Sequence, residues 1–555
     1  MNECKRVPII KLEGGWKSLF DPPVKERIEA TVFPDFLPGQ RWFADKARRI
    51  TATTLVGWGG LPADPSRLFF AFVKVAFANG PAEIYFVPLA IGAIDPACDA
   101  PPSHCLARLS APAGEAWLVD AVADDDFGQG VLASIAGPEQ FPMITGRVEA
   151  SRTNAFDSLR GDPAIPLTAS AGAASSSNSL IFLGERLVLK VFRRLEPGLN
   201  PELEVGRFLT ERTNFTSLPR LGGSLVYHPR NGGDVTTLAI LQQFMPHQGD
   251  GWTHALDELR RYYEHVLPLK ALPASHDHEH ALSLARRPVA SEVRGSMRES
   301  LESAATLGRR TAEMHAALAS RDDDSDFAPE PLDGTDLELV AMEVRTQASR
   351  AFTELTEHRE ALSDSQQASI DWLLTEGAGQ LDRLLSERPR TLPPSVKTRI
   401  HGDYHLGQVL RVQDDYVLVD FEGEPMRSIE ERRAKSSPIR DVAGMLRSFH
   451  YAAFAAAFAL AEGRGTALPR LVGWADFWQR HVGAEFLRAY LTTAGSANFV
   501  PDDDHDLTAL LNRYSLGKVF YELVYELNHR PEWARIPIRG AITLLGGPSE
   551  AKPAP

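Results

Sequence analysis

The chain has 555 residues, 43% of them hydrophobic and 24% charged, and carries a formal net charge of -14. Such a length asks for two to four domains, and the composition is that of a soluble globular protein. The acidic balance argues against nucleic acid or an anionic membrane surface as partner, because both select a basic face. Three cysteines (Cys4, Cys98 and Cys105) make neither a disulfide framework nor a zinc pattern, which suits a reducing compartment. No apolar run follows Arg6 to form a signal peptide, and the Ala/Phe-rich stretch at 451–460 is too short to span a bilayer. A cytoplasmic location is the expectation.

Residues 20–160 read as a mixed region: a helix over 24–32, then alternating strand-like runs at 68–77, 83–90 and 116–121. Turn signals at Asn79-Gly80-Pro81 and Ala113-Gly114 predict hairpins, and no catalytic constellation is evident. Between residues 163 and 178 the chain becomes Ala/Ser/Gly-rich, a composition that also fits a linker. It runs into two β-rich segments, 179–183 and 186–192, joined by Gly184-Glu185, which predicts a hairpin. Ser175, Ser176, Ser177, Asn178 and Ser179 are small enough for backbone N–H groups to approach phosphates, although no GxGxxG is present. Lys190 lies in the second β-rich segment, where a lysine reaches nucleotide phosphates or is a solvated edge residue. Glu202 and Glu204 open the following helix, and Glu204 is the preferred partner for Lys190. A strand over 237–244 follows; by position, Gln243 and Met245 would meet adenine. The remainder reads as helical over 256–267, 297–319, 337–384 and 439–529, with loops at 321–326 and 389–394 and a disordered tail at 546–555.

The most informative passage is 401–408, His-Gly-Asp-Tyr-His-Leu-Gly-Gln, followed by the apolar strand ending at Val419 and then Asp420-Phe421-Glu422. Asp403 and Gln408 stand five apart, the spacing of the base and the metal-holding amide in eukaryotic-like kinases. Asp403 is the candidate base, taking a proton from an acceptor hydroxyl. Gln408 and Asp420 offer a neutral and an anionic oxygen, the hard ligands magnesium prefers. Phosphoryl transfer needs positioned charge more than covalent help, so these groups and ATP suffice for a small-molecule kinase.

Around this cluster lie the candidate substrate contacts: His405, Glu424, Lys435 and Arg440, and on the last long helix Tyr525 and Glu526. The basic loop at 432–441 could hold phosphate or sugar hydroxyls, while Ser437 and Pro438 suit a helix N-terminus. Leu516, Val519, Phe520, Leu523, Val524 and Leu527 form an apolar core stripe. Glu522 and Glu526 with Tyr521 and Tyr525 suit a sugar, or simply a solvated helix face. His315 reads as structural.

The residues at 40–46, 177–179, 189–195, 200–204, 249–252, 401–408, 420–425, 435–444 and 525–531 together resemble the maltokinases, within the aminoglycoside-phosphotransferase/choline-kinase-like superfamily. The likeness runs from about residue 25 to 545. It implies an α+β, eukaryotic-protein-kinase-like bilobal fold with a cap domain (20–160), a β-rich nucleotide lobe (161–250) and a helical C-terminal lobe (251–545). It also implies ATP and Mg2+, with Asp403 as base, Gln408 and Asp420 on the metal, and Lys190 on phosphate. The implied reaction turns maltose into maltose 1-phosphate in a route from trehalose to α-glucan. Such kinases also occur fused to trehalose synthase, so an association with that enzyme is implied; a stand-alone chain is the expectation here. Spacing does not identify the disaccharide, and glucosamine or another amino sugar is the alternative acceptor.

Overall fold

The computed structural model describes residues 7–43, 46–94, 101–172, 177–269, 279–386, 395–462 and 468–548. The expectations for Cys4, Cys98, Ser175, Ser176, the loop at 389–394 and the tail beyond residue 548 fall outside these residues. The chain divides into two compact units, Met1–Pro246 and His247–Pro555. Among the described residues no helix is long and apolar enough to cross a membrane.

The first unit is built on two sheets. One, of eight strands among the described residues, includes Ile50–Gly60, Leu68–Phe77, Glu83–Phe86, Leu89–Ala93, Cys105–Ala111 and Gly114–Asp120. Its inner face packs on the N-terminal helical turns through Phe33, Phe36, Trp42, Phe43 and Tyr85, all buried. The other is a seven-stranded antiparallel sheet in which Asn178–Leu183 and Leu187–Phe192 form the predicted hairpin, with Leu183 opposite Leu187 across Gly184. Alternation decides its faces: Leu187, Leu189 and Val191 are buried together in the core shared by both sheets. Gly146–Arg152 pairs with Leu221–Pro229 and with Gln140–Met143, so this second sheet takes strands from before residue 160, where the cap was expected to end. Val148 and Ala150 carry the reason, since their alternate side chains enter the second sheet's core.

Arg193, 1% exposed, joins the two sheets of this unit. Its guanidinium donates to Asp120 Oδ2 at 2.7 Å, to Ser179 Oγ at 2.7 Å and to the Phe86 carbonyl at 3.3 Å, and lies 4.5 Å from the Trp42 ring. A planar five-donor group can satisfy a carboxylate, a hydroxyl and a carbonyl at once, which lysine cannot.

Among the described residues the second unit is helical apart from two short strand pairs, Glu330–Pro331 with Val396–Lys397 and the hairpin Val409–Val412 with Asp415–Leu418. Its main helices are Gly251–Val266, Ser291–Leu318, Gly334–Glu357, Ile439–Ala461, Leu468–Ala494, Asp504–His529 and Arg535–Leu544. The helical run expected over 337–384 is interrupted: Gly334–Glu357 ends near His358, and Ser363 caps a new helix, Asp364–Trp372. Among the described residues the 439–529 run holds three helices, the last beginning at Asp504 after a break beyond Ala494. Composition alone could not place these breaks, because helical periodicity continues on both sides of them. Ser437 Oγ accepts from the Ile439 N–H at 3.3 Å, giving the helix start read from Ser437-Pro438.

Removing the Asp120 carboxylate would leave Arg193 charged and buried without its partner. Asp120→Ala is expected to cost about 3–5 kcal/mol, seen as an earlier thermal transition, whereas Asp120→Glu keeps more of the pairing.

Candidate active site

The passage 401–408 forms a turn that leads into the hairpin Val409–Val412 and Asp415–Leu418, whose far end delivers Asp420. Val409 pairs with Leu418, so the residues flanking the two strands return to the same end of the hairpin. Gln408 Nε2 accordingly donates to Asp420 Oδ2 at 2.8 Å. Asp420 has φ +66°, a left-handed conformation that Asp tolerates better than most side chains and that turns its carboxylate toward Gln408. Both side chains are half-buried and present hard oxygen donors, a carboxylate and an amide carbonyl, which fit a magnesium ion.

Asp403 is held from below. The buried Asp441 carboxylate accepts from the His401 N–H at 2.7 Å and from the Gly402 N–H at 3.0 Å. His315 Nε2 reaches the same carboxylate at 3.1 Å, while its Nδ1 meets the Tyr490 hydroxyl at 3.0 Å. Burial opposes charge on Asp441, yet His315, His401 and the Gly402 N–H hold its carboxyl below the ordinary range. Gly402, at φ +86°, lets this turn pass the chain around Gly423: a Cβ there would stand 3.4 Å from the Gly423 Cα. The helix Ile439–Ala461 presses against the turn at Gly444, where a Cβ would meet the Tyr404 carbonyl oxygen at 2.7 Å.

The Asp403 carboxylate faces a pocket that is open to solvent and walled by three helices and the loop after Asp420. Val340, Val344 and Gln347 line one wall and Tyr514, Lys518 and Tyr521 another, each set recurring at helical spacing on one face. Lys518 Nζ donates to Asp403 Oδ1 at 2.9 Å and stands 3.5 Å from Glu424 Oε1. Glu424 also accepts from Arg427 Nε at 2.6 Å and from Arg440 Nη2 at 3.2 Å, and Arg427 pairs in turn with Glu343. Burial works against charge on Asp403, but Lys518, His405 and His401 together keep its carboxyl below the ordinary range. Burial likewise lowers the His405 imidazole, with Asp403 and Asp420 opposing; His405 Nε2 lies 3.9 Å from Asp403 Oδ2. A single imidazole thus feels the carboxylates on both sides of the hairpin.

Of the expected substrate contacts, Glu424 and Arg440 line the pocket with Asp403, and His405 stands beside that carboxylate. Lys435, Tyr525 and Glu526 do not line the pocket. Lys435 pairs with Glu330 at 2.6 Å and with the Ser325 carbonyl, a tie between loops. Tyr525 stacks on His529 at 4.4 Å, and Glu526, rather than facing solvent, is 2% exposed and held by Arg530 and Tyr451. Lys518 was missed by reading Leu516–Leu527 as core. The signal available was a lysine interrupting that stripe, four residues after Tyr514 and three before Tyr521.

In the first unit, Lys190 Nζ donates to Glu202 Oε2 at 2.6 Å, and Glu204, the partner preferred from sequence, is buried on the same helix. The Asn200 side chain caps this helix at the Glu202 N–H, turning the first glutamate toward the sheet. Ser179 is 3% exposed and accepts from Arg193, so its hydroxyl serves the internal arginine rather than an open loop. Asn178 is buried at the strand start and Ser177 exposed; Gln243 ends Thr236–Gln243, with Met245 just beyond.

With these arrangements in hand, residues 36–124 match the maltokinase N-terminal cap domain, and residues 253–478 match the phosphotransferase enzyme family. A curated glucosamine kinase from Streptacidiphilus jiangxiensis is 26% identical over 81% of this chain and 91% of its own length. A second, from Mycolicibacterium smegmatis, is 25% identical over 66% of this chain and 77% of its own. The solved structure of a glucosamine kinase in complex with glucosamine, ADP and inorganic phosphate superposes with a TM-score of 0.57 at 22% identity, covering 88% of this chain and 92% of that one.

The depressed Asp403 carboxyl makes a pH prediction. A carboxylate whose pKa falls on folding adds stability that is full above its unfolded value and lost as pH drops through the folded one. Thermal unfolding followed from about pH 6 to about pH 2 should therefore show the gap between wild type and Asp403→Asn narrowing below about pH 4. A gap that does not change with pH would contradict the assigned charge state.

Proposed function

We propose that this chain, whose residues 253–478 match the phosphotransferase enzyme family and 36–124 the maltokinase N-terminal cap domain, transfers the γ-phosphate of ATP to a sugar hydroxyl. The acceptor assigned is the anomeric hydroxyl of maltose, giving maltose 1-phosphate and ADP for α-glucan synthesis from trehalose. The supporting observation is the placement of Asp403 in an open pocket, on the turn that also brings Gln408 onto Asp420.

Asp403 accepts the proton as the acceptor oxygen attacks phosphorus. An anomeric hydroxyl is more acidic than other sugar hydroxyls because the ring oxygen withdraws charge, so a single low-pKa carboxylate is an adequate base. Gln408 and Asp420 are the groups that would hold Mg2+, which when bound neutralises charge on the nucleotide phosphates. Lys190, aligned by Glu202, is assigned to phosphate oxygens. His405, 3.9 Å from Asp403, orients that carboxylate or the incoming hydroxyl. The two curated relatives support a second reading, an amino sugar such as glucosamine as acceptor.

ATP turnover by the purified chain with magnesium and maltose, compared with glucosamine and trehalose, tests the assignment; turnover confined to glucosamine removes maltose and keeps the kinase. Asp403→Asn is expected to lower kcat by about 10²–10⁴-fold with little change in the KM for ATP. Near-normal turnover in that variant would refute the role of Asp403.

A further inference from the structure

An acceptor carrying an ammonium needs a carboxylate that is not already neutralised, because two cations crowded on one buried anion repel. Glu343, Asp403 and Glu424 are carboxylates of the pocket wall, and Glu522 and Glu526, which the sequence also offered to a sugar, stand on the last long helix outside that lining. Each is already paired with a cation of the chain itself. Lys518 stands 2.9 Å from Asp403 and 3.5 Å from Glu424. Arg427 and Arg440 hold the other side of Glu424. Arg447 meets Glu522 at 2.6 Å, and Arg530 grips Glu526 through two nitrogens at 2.7 and 2.9 Å.

Lys518 is the one of these cations that reaches the candidate base. Its side chain is 19% exposed, and the Tyr521 ring lies 5.2 Å from its nitrogen, so the ammonium is bracketed by two carboxylates and an aromatic face. On the kinase reading above, we infer that Lys518 is a specificity-determining residue: it fills the cation position beside Asp403 and so excludes acceptors that carry their own ammonium, leaving neutral sugars. The lysine has three N–H donors and spends one on Asp403, so that another can be accepted by the hydroxyl of a neutral sugar.

Like charges about 5 Å apart at an effective dielectric near 20 correspond to roughly a 270-fold penalty, which solvent screening in a partly open site reduces to about 100-fold. The test measures kcat/KM of the full chain at neutral pH for glucose, maltose and trehalose against glucosamine, in wild type, Lys518→Met and Lys518→Arg. Wild type should favour a neutral sugar over glucosamine by about 100-fold. Lys518→Met should shrink that ratio at least about tenfold, chiefly through the KM for glucosamine, while Lys518→Arg retains it. Thermal unfolding of each variant checks that it is folded; should Lys518→Met not fold, the wild-type preference decides alone. Glucosamine as the better wild-type substrate, or an unchanged ratio in folded Lys518→Met, overturns the inference while leaving a kinase. Loss of turnover with every sugar in wild type would instead remove the kinase reading, and this one with it.

Discussion

The second unit is organised around one buried carboxylate. Asp441, on the first turn of Ile439–Ala461, takes the N–H groups of His401 and Gly402 and the imidazole of His315. Hydrogen bonds to a charged group are worth about 1.5–3 kcal/mol each, and a buried N–H left without its acceptor costs about 1–3 kcal/mol. The turn carrying Asp403 is thereby fastened to a long helix at the two residues immediately before it. Leu406 is fastened to the same helix through Ser448 Oγ at 3.0 Å, on the other side of Asp403. A side chain that must accept a proton at a defined point is thus held between two anchored backbone segments, while its carboxylate alone faces the pocket.

Charge in that pocket is arranged as a chain of alternating sign, from Glu343 through Arg427 to Glu424 and on through Lys518 to Asp403. Partial burial makes such pairing obligatory, since an isolated ion there would shift its pKa or draw in water. The consequence is chemical as well as structural. Asp403 stays ionised despite burial because Lys518 is next to it, and Lys518 stays protonated because two carboxylates face it. On the inference above, recognition of an acceptor in this setting falls to hydrogen bonding and shape, with each of these charges already paired.

In the first unit an arginine has a comparable place. Arg193 ties Asp120 of one sheet to Ser179 of the other and packs on Trp42, so residues of three separate sequence motifs meet in one contact. Ser179 was legible as a small polar residue near a nucleotide loop, but its use by Arg193 was not. Nothing local distinguishes a serine that lines a loop from one that satisfies a guanidinium at the end of the neighbouring strand.

Local pattern was enough wherever the chemistry is contiguous. The hairpins at Gly184 and Gly114, the buried stripe of Leu516–Leu527 and the Gln408–Asp420 pairing all follow from period, turn residues and spacing within a short stretch, because one strand or one helical face determines them. Partnerships between distant segments were not determined in this way. The meeting of Lys190 with Glu202 turns on how the Asn200 cap sets the helix phase, and the burial of Glu526 on its pairing with Arg530 and Tyr451. Lys518 beside Asp403 joins residues 115 apart in sequence. The residues by themselves specified which groups could do chemistry and the order of the elements that carry them; only packing decided which charges those groups meet, since the free energy of a buried ion depends on its neighbours in space and hardly at all on its neighbours in the chain.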